Sequence, residues 1–239
     1  MLYTFGDSFV KTFDETPDWV YTSLIAKEFN TVEKNFGVIS SSLEYTFHQF
    51  EKQRNNFVEG DIIIIALTLP DKTYFFHDRP SLSQVWSFDT EKHTIEEKFA
   101  MEMYYKHLHN SKNNIINLLN FLHSVQEVTA RKKLHTVILK SLFNDVDNIV
   151  NKDRYPSLHI ATDYLWETMK LEISDSTLTS YLNLTKFTND TRELHFTEPN
   201  HRIIADSIIS AIKHNTEINI ENVLLRNIFN WDLYNKSRL

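Results

Sequence analysis

Apolar residues in the first two thirds of the chain fall into short runs separated by longer amphipathic stretches. Leu2-Tyr3-Thr4-Phe5 ends at Gly6-Asp7-Ser8, and Thr31–Phe36 ends at Gly37. Asp61–Leu67 carries four consecutive isoleucines, and Leu134–Leu139 forms a fourth run. The isoleucine run is uninterrupted and β-branched, the pattern of a central strand buried on both faces of a parallel sheet. Helical signals lie between these runs. Thr16-Pro17 offers an N-cap and a first-turn proline, predicting a helix to about Phe29. A second helix is expected from Ser42 through Lys52, and residues from Ile95 to Ala130 read as two helices broken around Asn110-Ser111. Further helices are expected around Ile160–Met169 and over Pro199–His214.

Strands alternating with helices imply right-handed crossovers and a parallel sheet covered on both faces. The expected fold class is therefore α/β, a three-layer α/β/α arrangement around a central parallel sheet. Residues 1–214 are expected to form one such domain, with 215–239 a C-terminal helical extension packed on it. Leu69 to Thr94 is too long for an ordinary βα connection and reads as a functional loop. Its Tyr74, Phe75, Phe76 and Trp86 are either a stacking wall for a substrate or plain core and loop anchors.

Composition narrows the chemistry. Of 239 residues, 41% are hydrophobic and 24% charged, which is ordinary for a globular chain. A net charge of −7 with no Lys/Arg cluster gives no footprint for nucleic acid. No run reaches the length of a membrane span. Cysteine is absent, which removes disulfides, thiolate metal sites and cysteine nucleophiles and leaves covalent chemistry to Ser, Thr, Lys or a carboxylate. The apolar run at Leu2–Phe5 starts too early for a secretory signal, so a cytoplasmic origin is expected, although a virion component would look the same. Only three glycines occur, Gly6, Gly37 and Gly60, each at the edge of an apolar run.

In a parallel α/β sheet the loops leaving the carboxyl ends of the strands bind ligand. Gly6-Asp7-Ser8, Gly37–Ser42 and Thr68–Lys72 all fall there. Ser8 stands where a strand turns toward a helix, so nearby backbone N–H groups can converge on an oxyanion; as an isolated tripeptide, Gly-Asp-Ser reads first as a surface turn. A serine hydroxyl needs a histidine base oriented by an acceptor on its other nitrogen. Among the eleven histidines, His195 lies two residues after Glu193 in a loop leading into the helix at Pro199, an arrangement that holds both groups on a rigid element.

These segments resemble the SGNH, or GDSL-type, serine hydrolases. Tyr3-Thr4-Phe5-Gly6-Asp7-Ser8-Phe9 is similar to the family's first block. Glu193-Leu194-His195, followed by Pro199-Asn200-His201-Arg202-Ile203-Ile204-Ala205, is similar to its last. The resemblance implies a flavodoxin-like fold and an ester hydrolase, with Ser8 as nucleophile and His195 as base. It implies Glu193 as the orienting acid, with Asp190 the alternative; Arg192 occupies the place an Asp-x-x-His spacing would require. The backbone N–H of Ser40 stands where the family's oxyanion glycine falls, unless Gly37 merely ends the strand and Ser42 caps the next helix. The family's Gly-x-Asn-Asp after the third strand is replaced by Ala66-Leu67-Thr68-Leu69-Pro70-Asp71-Lys72, so its asparagine donor is missing and Thr68 or Lys72 is left to serve.

The implied substrate is a small acyl ester or an acetylated carbohydrate, with no metal or organic cofactor in the reaction. His201 reads as a helix-opening residue rather than a second base. The rival expectation is a binding module that kept the fold without the chemistry, the missing asparagine being its warrant. A flavodoxin-like nucleotide binder is disfavoured, because no Gly-rich phosphate cradle follows the first strand. Neither the oligomeric state nor the acyl group is legible in the sequence.

Overall fold

The computed structural model describes residues 1–7, 10, 18–38, 41–68, 73–76, 80–83, 94–140, 149–164 and 198–218. A five-stranded parallel sheet is built from β1 (Leu2–Phe5), β2 (Glu33–Asn35), β3 (Ile62–Leu67), β6 (His135–Lys140) and β7 (Leu158–Tyr164), in the order β2-β1-β3-β6-β7. Between β3 and β6 come an antiparallel hairpin, β4 (Thr73–Phe76) with β5 (Pro80–Ser83), and two helices, α3 (Ile95–His107) and α4 (Ser111–Lys132). The remaining helices are α1 (Tyr21–Glu28), α2 (Leu43–Gln53) and α5 (Glu198–His214).

Every residue of β3 is buried because the strand sits mid-sheet with helices on both faces. Period-2 alternation divides its side chains between two cores. Ile62, Ile64 and Ala66 join Leu2, Val137 and Leu139 against Ile25 of α1 and Ile204 and Ile208 of α5. Ile63, Ile65 and Leu67 join Tyr3, Phe5 and Ile138 against Phe50 of α2 and Leu118, Phe121 and Val125 of α4. On this second face aromatic rings interlock: Phe50 lies 5.8 Å from Phe5 and 6.0 Å from Phe121, both edge-on. The fold is thus a three-layer α/β/α sandwich, as expected from the alternation of elements.

Local signals account for the helix limits. Ser42 caps α2 by accepting from the Tyr45 N–H at 3.2 Å. Asn110 caps α4 by accepting from the Lys112 N–H at 2.9 Å, which is why the helical stretch breaks there. α4 ends at Lys133, whose φ of 53° is left-handed, and its N–H returns to the Thr129 carbonyl.

Two expectations need correction. The first helix does not open at Thr16-Pro17: α1 starts at Tyr21, because Trp19 and Val20 turn into the core ahead of it. Residues 158–164 are a strand rather than the start of a helix over Ile160–Met169. The i, i+4 placement of Ile160 and Tyr164 mimics a helix, but the carboxyl half of the sheet needs a partner for β6, and tertiary pairing overrides the local pattern. The long stretch after β3 contains the β4–β5 hairpin. At the end of α5 the chain passes through Asn215–Glu217 to Ile218, which bridges Ala161 of β7 in parallel. Residues 219–239, where a tail helix was expected, lie outside the described residues.

Candidate active site

The strand order fixes where a site forms. From β1 the chain steps outward to β2, then returns across β1 to β3 and continues through β6 to β7. The direction of winding reverses between β1 and β3. At such a switch point the loops leaving neighbouring strands diverge to opposite faces and leave a crevice outside the carboxyl ends. Gly6 and Asp7 leave β1 there, and Thr68 leaves β3.

Gly6 has a φ of 143°, in a region L side chains rarely adopt. A β-carbon on it would stand 2.7 Å from the Ala66 carbonyl oxygen and 3.0 Å from the Ala66 β-carbon. The loop after β1 therefore lies directly on the end of β3, and only glycine permits that approach. Asp7 is buried, and its carbonyl accepts from the Val10 N–H at 3.2 Å across residues 8 and 9.

The loop after β2 braces this turn. The Gly6 carbonyl accepts from the Val38 N–H at 3.0 Å and from the buried Ser41 hydroxyl at 2.9 Å. Asn35 closes an Asx turn by accepting from the Gly37 N–H at 2.9 Å, and its amide donates to the Val10 carbonyl and the Glu33 carboxylate. Ser40 and Ser42 are the serines the sequence points to, whereas the bracing roles of Ser41 and Asn35 come to light in the fold. The Asn-Phe-Gly spacing was a legible signal for Asn35; for Ser41, flanked by two other serines, there was none.

Of the residues expected to carry chemistry, Thr68 is described. It is fully buried at the carboxyl end of β3, and its hydroxyl has no hydrogen-bond partner among the described residues. Ser8, Ser40, Lys72, Asp190, Glu193 and His195 lie outside the described residues. Ser42 serves as the cap of α2, the local role foreseen as the alternative for this segment.

His201 is described and buried in the first turn of α5. Its Nδ1 accepts from the Tyr21 backbone N–H at 3.4 Å, its ring stacks on Tyr21 at 5.8 Å, and Trp19 leans on it at 5.2 Å. With Nδ1 accepting, the neutral ring carries its proton on Nε2 and offers no lone pair to a reaction. This agrees with its reading as a helix-opening residue.

Among the perturbed titratable groups away from β1 are a carboxyl and an imidazole. The Glu44 carboxyl, in the first turn of α2, is raised by burial, which outweighs the lowering effects of its hydrogen bonds to the backbone and to Ser42 and of the nearby His109. His159 on β7 is pushed down to about 4, chiefly by burial and further by Lys152 and His135. His159 lines a cavity of about 390 Å³ with Lys140, Asn151, Lys152, Thr216 and Glu217. That cavity lies along β7, away from the switch point, so topology rather than cavity size marks the candidate site. No cluster of three or more His, Asp or Glu suited to a metal is found among the described residues, and none of their helices is long and apolar enough to cross a membrane.

The fold defines a doubly wound α/β protein with a braced turn at its switch point. No profile of a known protein family matches the chain, and no curated protein matches it. Three solved chains match, one of them described as a carbohydrate esterase whose active site displays divergent catalytic and non-catalytic binding functions. It is 11% identical, with a TM-score of 0.45, over 91% of this chain and 69% of that one. A likeness this slight carries no argument about activity.

Proposed function

We propose that this protein is a serine ester hydrolase acting on a small acyl ester or an acetylated carbohydrate. One observation carries the reading. The turn that leads into Ser8 lies against Ala66 at the carboxyl end of β3, two residues before Thr68, whose buried hydroxyl has no partner among the described residues, at the point where the sheet reverses its winding.

In this reading Ser8 attacks the ester carbonyl while His195 takes its proton, with Glu193, or alternatively Asp190, holding the imidazole. The backbone N–H groups of Ser8 and Ser40, with the Thr68 hydroxyl and Lys72, receive the developing oxyanion. The alcohol leaves with the proton from His195. Water, activated by the same histidine, then releases the acid from the acyl-enzyme. Asp7, buried and bonded through its carbonyl to Val10, shapes the turn rather than reacting.

The second reading, a binding module that kept the fold, is favoured by the absence of an asparagine after β3, where Thr68 stands instead. Loss of one oxyanion donor costs about 2.7–4 kcal/mol of transition-state stabilisation. Labelling with a fluorophosphonate separates the two. Covalent labelling of the wild type that Ser8→Ala abolishes supports the hydrolase; equal labelling of both proteins rejects it.

A further inference from the structure

α1 begins without a cap of its own. Its N-cap residue is Val20, whose side chain has no oxygen to offer the first-turn N–H groups. The missing acceptor comes from another part of the chain, since His201 Nδ1 receives the Tyr21 N–H across a sequence separation of 180 residues. Trp19 and Tyr21 hold the imidazole from two sides.

The geometry gives this contact a place in the fold. α1 ends near the amino edge of the sheet, where the Val32 carbonyl accepts from the Leu2 N–H. Its first turn is therefore at the carboxyl edge. α5 runs alongside in the same direction, because His201 meets Tyr21 at one end and Lys213 pairs with Glu28 at the other. In sequence, the segment that carries Ser8 leads into α1. The segment that carries His195 leads into α5, with His195 six residues before His201.

We infer that His201 is a positioning residue that locks the two helix starts together and so sets the register between the segments that lead from Ser8 and from His195 into them. This rests on the proposed hydrolase reading. It does not make His201 a catalytic residue, since its Nδ1 is committed to Tyr21. The residue acts through the two helix starts it joins.

The test compares the rate and the final extent of fluorophosphonate labelling at Ser8, together with kcat and KM for p-nitrophenyl acetate, in the full chain. Extent reports the folded fraction, and the rate reports alignment of nucleophile and base. His201→Phe keeps a ring but removes the acceptor, whereas His201→Asn places an amide oxygen near the position of Nδ1. The expected result is a labelling rate at least tenfold below wild type for H201F, with full final extent, lower kcat and unchanged KM. H201N should recover to within about threefold of wild type. Should H201F not fold, His201→Met removes the same acceptor with a side chain that adapts to irregular space, and the same slow labelling is expected. Labelling of H201F or H201M at the wild-type rate overturns the inference, as does H201N labelling as slowly as they do. Wild type that labels no more than Ser8→Ala overturns the hydrolase reading itself, a distinct outcome.

Discussion

A β-carbon at Gly6 would lie 2.7 Å from the carbonyl oxygen of Ala66, so the turn after β1 and the end of β3 can share this space only if residue 6 is glycine. The obstructing atom belongs to the backbone of a strand buried at the centre of the sheet and cannot swing aside. Gly6→Ala therefore combines a disfavoured φ with a backbone clash. The variant should lose roughly 2–4 kcal/mol of stability in urea unfolding. A loss below about 0.5 kcal/mol would show that the turn does not sit where it is described.

Thr68→Val separates stability from chemistry. The buried hydroxyl has no partner among the described residues, so replacing it with a methyl group of similar size should stabilise the fold by about 1 kcal/mol. If that hydroxyl is an oxyanion donor, the same change should lower kcat by about a hundredfold. Thermal unfolding and ester hydrolysis measured on one preparation check both halves. A variant both less stable and fully active contradicts the assignment.

Ser42→Ala tests the start of α2. Losing the acceptor for the Tyr45 N–H should cost about 1 kcal/mol. Ser42→Asp, which keeps an acceptor and places a negative charge at the helix N-terminus, should restore most of it. Chemical denaturation of the pair would show whether the cap or only the hydroxyl's bulk matters.

His159 predicts a pH dependence with a defined sign. Its folded-state pKa is about 4, against an ordinary value of 6.5. Between these values the unfolded chain binds a proton that the folded chain refuses, so stability falls as the pH drops from about 6.5 toward 4 and its His159 component then levels off. Because the ring is only partly buried, solvent screening limits the effect to on the order of 1–2 kcal/mol. Subtracting the His159→Asn curve from that of wild type should isolate it. Superimposable slopes across that window would sink the assignment.

The fold was legible wherever local pattern and tertiary demand agreed. The isoleucines of β3 could hardly be anything but a buried strand, Asn110 announced the break between α3 and α4, and Pro199 announced α5. Legibility failed where they diverged. Val20 lacks any capping oxygen, so no local signal marks the start of α1; its acceptor comes from His201, far along the chain. Residues 158–164 carry a spacing that suits a helix but pair with β6 as a strand. Ser41 is one serine of three in a row, and only its contact with the Gly6 carbonyl distinguishes it from its neighbours.

The sequence by itself determined the class of fold, because hydrophobic period and helix punctuation are local properties that survive without knowledge of any partner. It also offered the candidates for chemistry, Ser8, His195 and Thr68 among them, while the burial of Thr68 is seen only in the fold. Only the tertiary structure decided that β1 and β3 are neighbours at a reversal of winding, that Gly6 lies on Ala66, and that His201 caps a helix 180 residues away. Strand order and long-range contact depend on how whole layers pack. That is a property of surfaces meeting in space, which no window along the chain contains.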